Sequence, residues 1–255
     1  MVDKLDLKRR FRAAGVHALI CAVIATLAGV LVFGLWFPGV YRSASGGRDL
    51  FLLVTGVDVV LGPILTFAVF NLAKGWKHLR RDLAVIGAIQ LAALAYGLHA
   101  VYLVRPVAMV FEADRFRVVT AADVYRPELP KAPPEYRSLP ISGPWLLGTR
   151  APQPGKEHSE ALFMALQGAD IADRPVFWQH FAKSAGDAIA RARPLSALLA
   201  HYPLRDAEIK AELAAMGADL STARFLPLVA RSDWVVVLDG GSGSILGYVQ
   251  ANGFF

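Results

Sequence analysis

The 255-residue chain is too apolar for an ordinary soluble protein, because its mean hydropathy is +0.42 and only 19% of its residues are charged. Its net charge of +6 lies entirely in the segment up to Val104, which carries 11 basic and 5 acidic residues in short runs beside apolar stretches. That placement is typical of membrane topology signals and argues against the nucleic-acid-binding surface that a pI near 9.6 would otherwise suggest.

Three apolar segments, at about residues 13–37, 50–73 and 83–104, are each long enough to cross a bilayer core as a helix. The first is too long for the core of a cleaved signal peptide and has no small-residue cleavage site after it, so we expect an anchor. Because the N-terminus and the short loop 74–81 hold most of the basic residues, the positive-inside rule predicts that both are cytoplasmic. The chain after the third span then lies outside, which in a bacterium is the periplasm.

Small residues form a stripe at helical spacing in the first span, at Ala18, Ala22, Ala25 and Gly29. Small side chains let helices approach closely within lipid, where no hydrophobic drive holds them together. The stripe is therefore a candidate packing face, either for the other two spans or for a helix of a partner. Cys21, the lone cysteine, lies in the same span; it excludes an intrachain disulfide and is expected to serve as inert packing.

Asp58 is the energetically costly residue of the membrane domain. A charged aspartate at the centre of a transmembrane helix costs about 2.5–3.5 kcal/mol on insertion scales. Pro63 lies five residues later and cannot donate a hydrogen bond to the carbonyl of Val59, so a kink is predicted there, with Gly62 adding flexibility. A carboxyl group, a carbonyl without its helical donor and a kink are thus predicted to meet within about one turn.

Polar residues of the third span are the candidate partners of Asp58. Counting from the predicted outer ends of the spans puts Tyr96 level with Asp58, His99 one turn nearer the outside and Gln90 deeper. We therefore hypothesise a hydrogen bond from Asp58 to Tyr96 or His99. Two roles stay open for Asp58: locking the three helices together, or holding the transmembrane segment of a partner. Proton transport is disfavoured, because a lone carboxylate offers no relay.

The remainder of the chain predicts an α+β domain over residues 106–255, following a membrane domain over 1–105. A β-hairpin is expected over 107–119, and a proline-rich stretch over 127–154 predicts irregular chain with a short strand near Leu146. Helical spacing predicts four helices, and the last part of the chain predicts an antiparallel meander that joins the hairpin in one antiparallel sheet. The helices are expected at 157–166, 183–192, 195–200 and 206–216, and the strands at 224–230, 233–238 and 244–250.

The domain carries no recognised catalytic pattern. The glycine-rich segment 240–243 lacks the lysine and hydroxyl residues of a phosphate loop and precedes a strand, so it predicts a hairpin turn. The histidines have no zinc-ligand spacing, and no nucleophile elbow is found. We therefore expect no catalytic residues, no metal and no cofactor. The aromatic run 177–181 is either a contact surface or part of the core.

Five segments carry a family resemblance: residues 51–66 (FLLVTGVDVVLGPILT), 82–86 (DLAVI), 90–99 (QLAALAYGLH), 110–119 (VFEADRFRVV) and 121–123 (AAD). Together they resemble the type IV pilin accessory protein family of the TfpX/TfpZ type. The resemblance covers the three spans and the first hairpin, and its most specific part contains Asp58 and Pro63.

The resemblance implies a bacterial inner-membrane protein that assists pilin stability or assembly, without chemistry of its own. The expected partners are then a type IV pilin subunit and the lipid bilayer, with no nucleic acid, while the oligomeric state is left open. A competing hypothesis is a membrane-anchored periplasmic sensor or ligand-binding protein. It is weakened because the cytoplasmic segments are too short to form an output domain. An intramembrane enzyme built around Asp58 is disfavoured for want of a second catalytic group.

Overall fold

A computed structural model describes residues 4–72 and 75–255 of the chain. Its contacts divide into two compact units. One, here called the helical bundle, contains the described residues up to Trp36 and those of Gly47–Val104. The other, here called the sheet domain, contains Phe37–Gly46 and Arg105–Phe255. The sheet domain resumes at Arg105, after the third long helix, and it also contains the connection between the first two helices.

The three predicted spans are helices, and each begins earlier than the hydropathy pattern indicates. Helix α1 is Lys4–Leu31 and continues as a π-helical turn, Val32–Trp36; α3 is Gly47–Val69 and α4 is Trp76–Leu103. All three are long and apolar enough to cross a membrane. The predicted end of the second span, Ala73, lies outside the described residues.

Helix α3 is the centre of the bundle, because α1 and α4 both pack against it. Glycines mark the closest approaches: a Cβ on Gly29 would lie 3.2 Å from the ring of Phe51, and one on Gly97 would collide with Val54. The buried face of α1 is centred on Cys21 and Ala28. Of the predicted small-residue stripe, three members lie beside this face and Ala22 is exposed. The stripe was drawn from residue size alone, which does not tell the packed edge of a helix from its lipid-facing edge.

The sheet domain is built on one mixed sheet of eight strands among the described residues. The spatial order is β4-β3-β1-β2-β6-β7-β8, with β5 paired to β6. The strands are β1 Pro106–Glu112, β2 Arg115–Thr120, β3 Trp145–Thr149, β4 Trp178–His180, β5 Arg193–Pro194, β6 Arg224–Val229, β7 Trp234–Leu238 and β8 Ile245–Val249. The hairpin β1–β2 and the meander β6–β7–β8 are antiparallel, as expected.

The expectation of a purely antiparallel sheet is wrong. Strand β3 pairs with β1 in parallel, and β6 pairs with β2 in parallel. Both parallel pairs join strands that are distant in the chain. No short turn connects them, so no turn sequence predicts their pairing. Hairpin signals reveal only antiparallel neighbours, because a tight turn reverses the chain.

Helices and irregular chain cover the sheet. The helices are α2 Tyr41–Ala44, α5 Lys156–Leu166, α6 Ala185–Arg191, α7 Leu195–His201 and α8 Asp206–Ala215. Helices α7 and α8 bury Leu198 and Ile209 against Phe225 and Val237 of the sheet. The proline-rich stretch packs Tyr136 against Trp145 and Trp178. The aromatic run 177–181 is therefore core: Phe177 and Trp178 are buried, and the indole of Trp178 donates to the Ala172 carbonyl at 2.7 Å.

The connection between the first two spans is part of the sheet domain. The carbonyl of Ala44 accepts hydrogen bonds from the backbone N–H groups of Arg231 (2.9 Å) and Ser232 (3.2 Å). The hydroxyl of Tyr41 lies 3.7 Å from the Met109 sulfur, and burial raises the pKa of Tyr41 above its usual range. Gly46 has a φ of +71°, and a Cβ there would meet the Arg231 side chain. This connection is therefore an ordered element and not a free loop.

Candidate functional site

Polar side chains collect on the facing sides of the three long helices. On α3, Thr55, Asp58 and Thr66 share one face with Gly62, because they are three, four and four residues apart. Helix α1 contributes His17 and Cys21, and α4 contributes Gln90. Apart from Asp58 and Gln90, sequence reasoning did not assign these side chains to the site. The regular spacing of polar residues along two apolar helices is the signal that would have indicated it.

Gln90 joins α4 to α3 at the level of Asp58. Its Nε2 donates a hydrogen bond to the backbone carbonyl of Asp58 at 3.1 Å. Gly62 makes this approach possible, because a Cβ at that position would collide with the Gln90 amide. Helix α3 continues through Pro63, which leaves the neighbouring carbonyl of Val59 without its helical donor. The local sequence thus lets a long amide side chain lie directly against the helix backbone.

Two acceptors at this level have no donor among the described residues. The carboxylate of Asp58 makes no hydrogen bond or ion pair with the described part of the chain. The Oε1 atom of Gln90 is buried there without a partner, because the amide nitrogen is the atom that faces the Asp58 carbonyl. Other polar groups on the facing sides of these helices are paired. His17 forms a hydrogen bond with the Thr66 hydroxyl, and the Thr55 hydroxyl donates to the Phe51 carbonyl at 2.8 Å.

The two acceptors lie in a groove between α1 and α4, with α3 as its floor. A cavity of about 160 Å³ beside Asp58 is lined from α1 by Cys21 and from α4 by Leu91. It adjoins a second cavity of about 510 Å³, which extends to Arg9. Lining residues on α1 run from Arg9 to Ala25, so the groove follows that helix for about 24 Å. We call this continuous feature the α1/α4 groove.

The hydrogen bond expected from Asp58 to Tyr96 or His99 is not found among the described residues. Tyr96 is 77% exposed and His99 is exposed as well. Tyr96 also lies six residues from Gln90, or about 9 Å nearer the C-terminal end of α4. The count placed Tyr96 level with Asp58, but α3 begins at Gly47, three residues before the predicted span, so Asp58 lies further along its helix than the count assumed.

The sheet domain offers a second candidate, a cleft of about 440 Å³ between α5 and the β1–β2 hairpin. Arg117 lies in it and is bound by two carboxylates, Glu112 at 3.0 Å and Asp170. These carboxylates raise the pKa of Arg117 and neutralise its charge, although burial opposes them. Nearby, burial raises the pKa of Asp173 to about 7, against the opposing effect of Arg117.

The described residues contain no group of three or more histidine, cysteine, aspartate or glutamate side chains placed to hold a metal ion. Both candidate sites therefore bring together groups that accept and donate hydrogen bonds. The α1/α4 groove differs from the cleft in one respect: its acceptors have no partner in the described chain.

Comparison with known proteins identifies relatives along most of the chain. The family model for the fimbrial assembly protein FimB matches residues 5–46. The fimbrial assembly protein of serogroup I from Dichelobacter nodosus is 37% identical over 239 residues, covering 91% of this chain and 93% of the relative. The serogroup E1 protein of the same organism is 36% identical with the same coverage.

A shorter relative, the fimbrial assembly protein of serogroups C1 and C2 from Dichelobacter nodosus, is 40% identical over 129 residues, which is 49% of this chain and 98% of the relative. No solved structure matches the chain. The identity to the two longer relatives exceeds 35% over nine-tenths of the sequence. The chain therefore belongs to the fimbrial assembly protein family.

Proposed function

We propose that this chain is a type IV fimbrial assembly factor of the TfpX/TfpZ type that binds and stabilises pilin subunits during pilus biogenesis. The observation that carries the assembly role is the 37% identity over 91% of the chain to a fimbrial assembly protein. The binding role is supported by the α1/α4 groove, whose unpaired acceptors suit an intermolecular contact. Neither candidate site has an arrangement suited to covalent chemistry, so assistance by binding is the simplest activity.

The proposed location is the bacterial inner membrane, with the N-terminus in the cytoplasm and the sheet domain in the periplasm. The apolar helices α1, α3 and α4 support membrane association. The orientation rests on the basic residues near the N-terminus and between α3 and α4. An alkaline phosphatase fused after Phe255 should be active outside the cytoplasm. Activity of a cytosolic reporter alone at that position would reverse the proposed orientation.

Affinity purification tests the binding role directly. The tagged full-length chain, extracted in mild detergent from cells that express pilin, should retain pilin in the eluate. A deletion strain should contain less pilin or carry fewer surface fimbriae. An equally expressed three-span membrane protein of unrelated sequence, carrying the same tag, is the control. Equal amounts of pilin with the control, or none with this chain, would contradict the proposal.

A ligand-binding role is the second candidate, and the cleft beside Arg117 is the observation that favours it. In that case a small molecule would stabilise the purified protein against heat, and the variant Arg117→Ala would abolish the stabilisation. The assembly role predicts instead that pilin stays with the protein in this variant. The two candidates are therefore separated by one variant and two measurements.

A further inference from the structure

We propose that the α1/α4 groove receives the apolar membrane helix of a pilin subunit, and that this helix carries a hydrogen-bond donor at the level of Asp58 and Gln90. The inference rests on the proposed function, because it takes pilin as the partner. It adds the surface that binds and the chemistry that the bound helix must bring.

The groove has the dimensions of a helix-binding surface. Helices α1 and α4 pack extensively against α3 and far less against each other, so the α1/α4 groove between them stays open. Its length of about 24 Å is most of a hydrocarbon core of about 30 Å. The walls include small residues, among them Ala13, Ala25 and Gly87. Small residues permit the close backbone approach by which helices associate in lipid.

The chemistry of the groove selects what fills it. The Gln90 Oε1 atom is buried without a hydrogen-bond partner among the described residues. The Asp58 carboxylate beside it is half-buried and makes no hydrogen bond or ion pair with the described part of the chain. An unsatisfied polar group in hydrocarbon is costly, so a complementary donor stabilises the site. A lipid tail would fill the volume without supplying one. An apolar helix with a hydroxyl, amide or amino group facing the groove meets both requirements.

A second copy of this chain fits less well. Within the apolar segments 13–37, 50–72 and 83–104, the exposed side chains that can donate a hydrogen bond are Thr26, Tyr96 and His99. The hydroxyl of Thr26 already donates to the Ala22 carbonyl of its own helix at 2.8 Å. Tyr96 and His99 lie at least about 9 Å nearer the outer end than Gln90, so neither is level with the acceptors in a parallel copy. The donor must therefore come from a different chain.

Site-specific photo-crosslinking in living cells tests the location. A p-benzoyl-phenylalanine in place of Leu91 faces the groove, whereas one in place of Ile89 lies about 200° around the same helix. The two positions are matched, because Leu91 is 59% and Ile89 is 65% exposed. Irradiation should crosslink pilin from position 91 and not from position 89.

Substitutions test the donor requirement. Asp58→Leu and Gln90→Leu should each lower the crosslink from position 91 by about threefold or more, which is the typical worth of one interhelical hydrogen bond in a membrane. Asp58→Asn keeps an acceptor oxygen and should retain most of the crosslink. Val60→Leu, on an exposed face of α3, is the control and should leave it unchanged. Protein levels measured beside each variant separate lost binding from lost folding.

The outcomes distinguish the two levels of the proposal. If pilin co-purifies but crosslinks equally from both positions, or if Asp58→Leu and Gln90→Leu leave the crosslink unchanged at normal protein levels, the groove assignment is overturned and the assembly role stands. Crosslinks from position 91 to lipid only, or to a second copy, also overturn it. If pilin fails to co-purify with the unmodified chain, that result contradicts the proposed function, and therefore also this inference.

Discussion

The helical bundle and the sheet domain place the same kinds of apolar side chain in opposite ways. In the sheet domain, the largest aromatic and aliphatic residues are buried in three clusters. In the bundle, Leu53, Leu19 and Val30 are each more than half exposed, and small residues occupy the contacts between helices. The sheet domain thus owes its stability to removing apolar surface from water, whereas close contacts at small residues hold the helices of the bundle together.

The two regions also differ in whether their charged side chains inside the fold are paired. In the sheet domain, Arg174 and Glu128 are nearly inaccessible and bind each other, with the Arg174 guanidinium also lying over the Phe177 ring. In the bundle, the Asp58 carboxylate faces the α1/α4 groove without a partner from the described residues. The charges of Arg174 and Glu128 therefore compensate each other within the fold, whereas the half-buried Asp58 carboxylate has no such compensation among the described residues.

The largest expected effect is the loss of a core aromatic residue in the sheet domain. Trp178→Ala removes the centre of an aromatic cluster and its hydrogen bond, and should lower the free energy of unfolding by about 3–5 kcal/mol. Leu53→Ala, at a side chain that is 70% exposed, should change stability by less than about 1 kcal/mol. Thermal unfolding of both full-length variants in detergent checks the difference. Equal losses of stability in the two variants would contradict the conclusion that large side chains are buried in the sheet domain and exposed in the bundle.

Asp58→Leu should stabilise the isolated bundle while it weakens the binding of pilin. Removing an unpaired carboxyl group from the centre of a span relieves a cost of about 2.5–3.5 kcal/mol on insertion scales. Resistance to unfolding by a denaturing detergent should therefore rise. A variant that is both less stable and still able to bind pilin would show that Asp58 serves only to hold the bundle together.

Gly62→Ala should destabilise the bundle although alanine is the better helix former. The added Cβ collides with the Gln90 amide and breaks its hydrogen bond to the Asp58 carbonyl, which should cost about 1–3 kcal/mol. Gly56→Ala on the same helix is the matched control, because a Cβ there meets nothing within 4 Å. It should be neutral or stabilising by up to about 1 kcal/mol. The same denaturing-detergent assay ranks the two variants.

The smallest expected effect is a pH dependence in the sheet domain. The folded state holds the proton of Asp173 up to a pKa of about 7, whereas the unfolded chain releases it near pH 4. Stability therefore falls as pH rises through this interval. Asp173→Asn stays neutral at every pH, so the variant should gain about 1–2 kcal/mol over the natural chain at pH 8, after allowance for solvent screening. Melting temperatures compared at pH 5 and pH 8 test this; a constant difference would contradict it.

Much of the fold followed from local patterns in the sequence. The β1–β2 hairpin, the closing meander and helices α5 to α8 were predicted close to their observed bounds. The three apolar helices were also predicted, although they begin three to nine residues earlier than expected. Each depends on residues within one segment, namely apolar periodicity, length and turn chemistry. The sequence also predicts that Asp58 is a costly residue, because an aspartate inside an apolar span raises the free energy of insertion whichever helices surround it.

Local sequence patterns did not predict three features of the structure. These are the neighbour of Asp58, the two parallel strand pairs and the place of residues 37–46 in the sheet domain. Gln90 meets Asp58, and Tyr96 does not, because relative helix depth depends on where α3 begins and how α4 packs against it. Strand β6 lies beside β2 through contacts between residues about a hundred positions apart. Such arrangements minimise free energy over the whole chain. Local backbone preferences do not encode them, so they appear only once the elements are packed together.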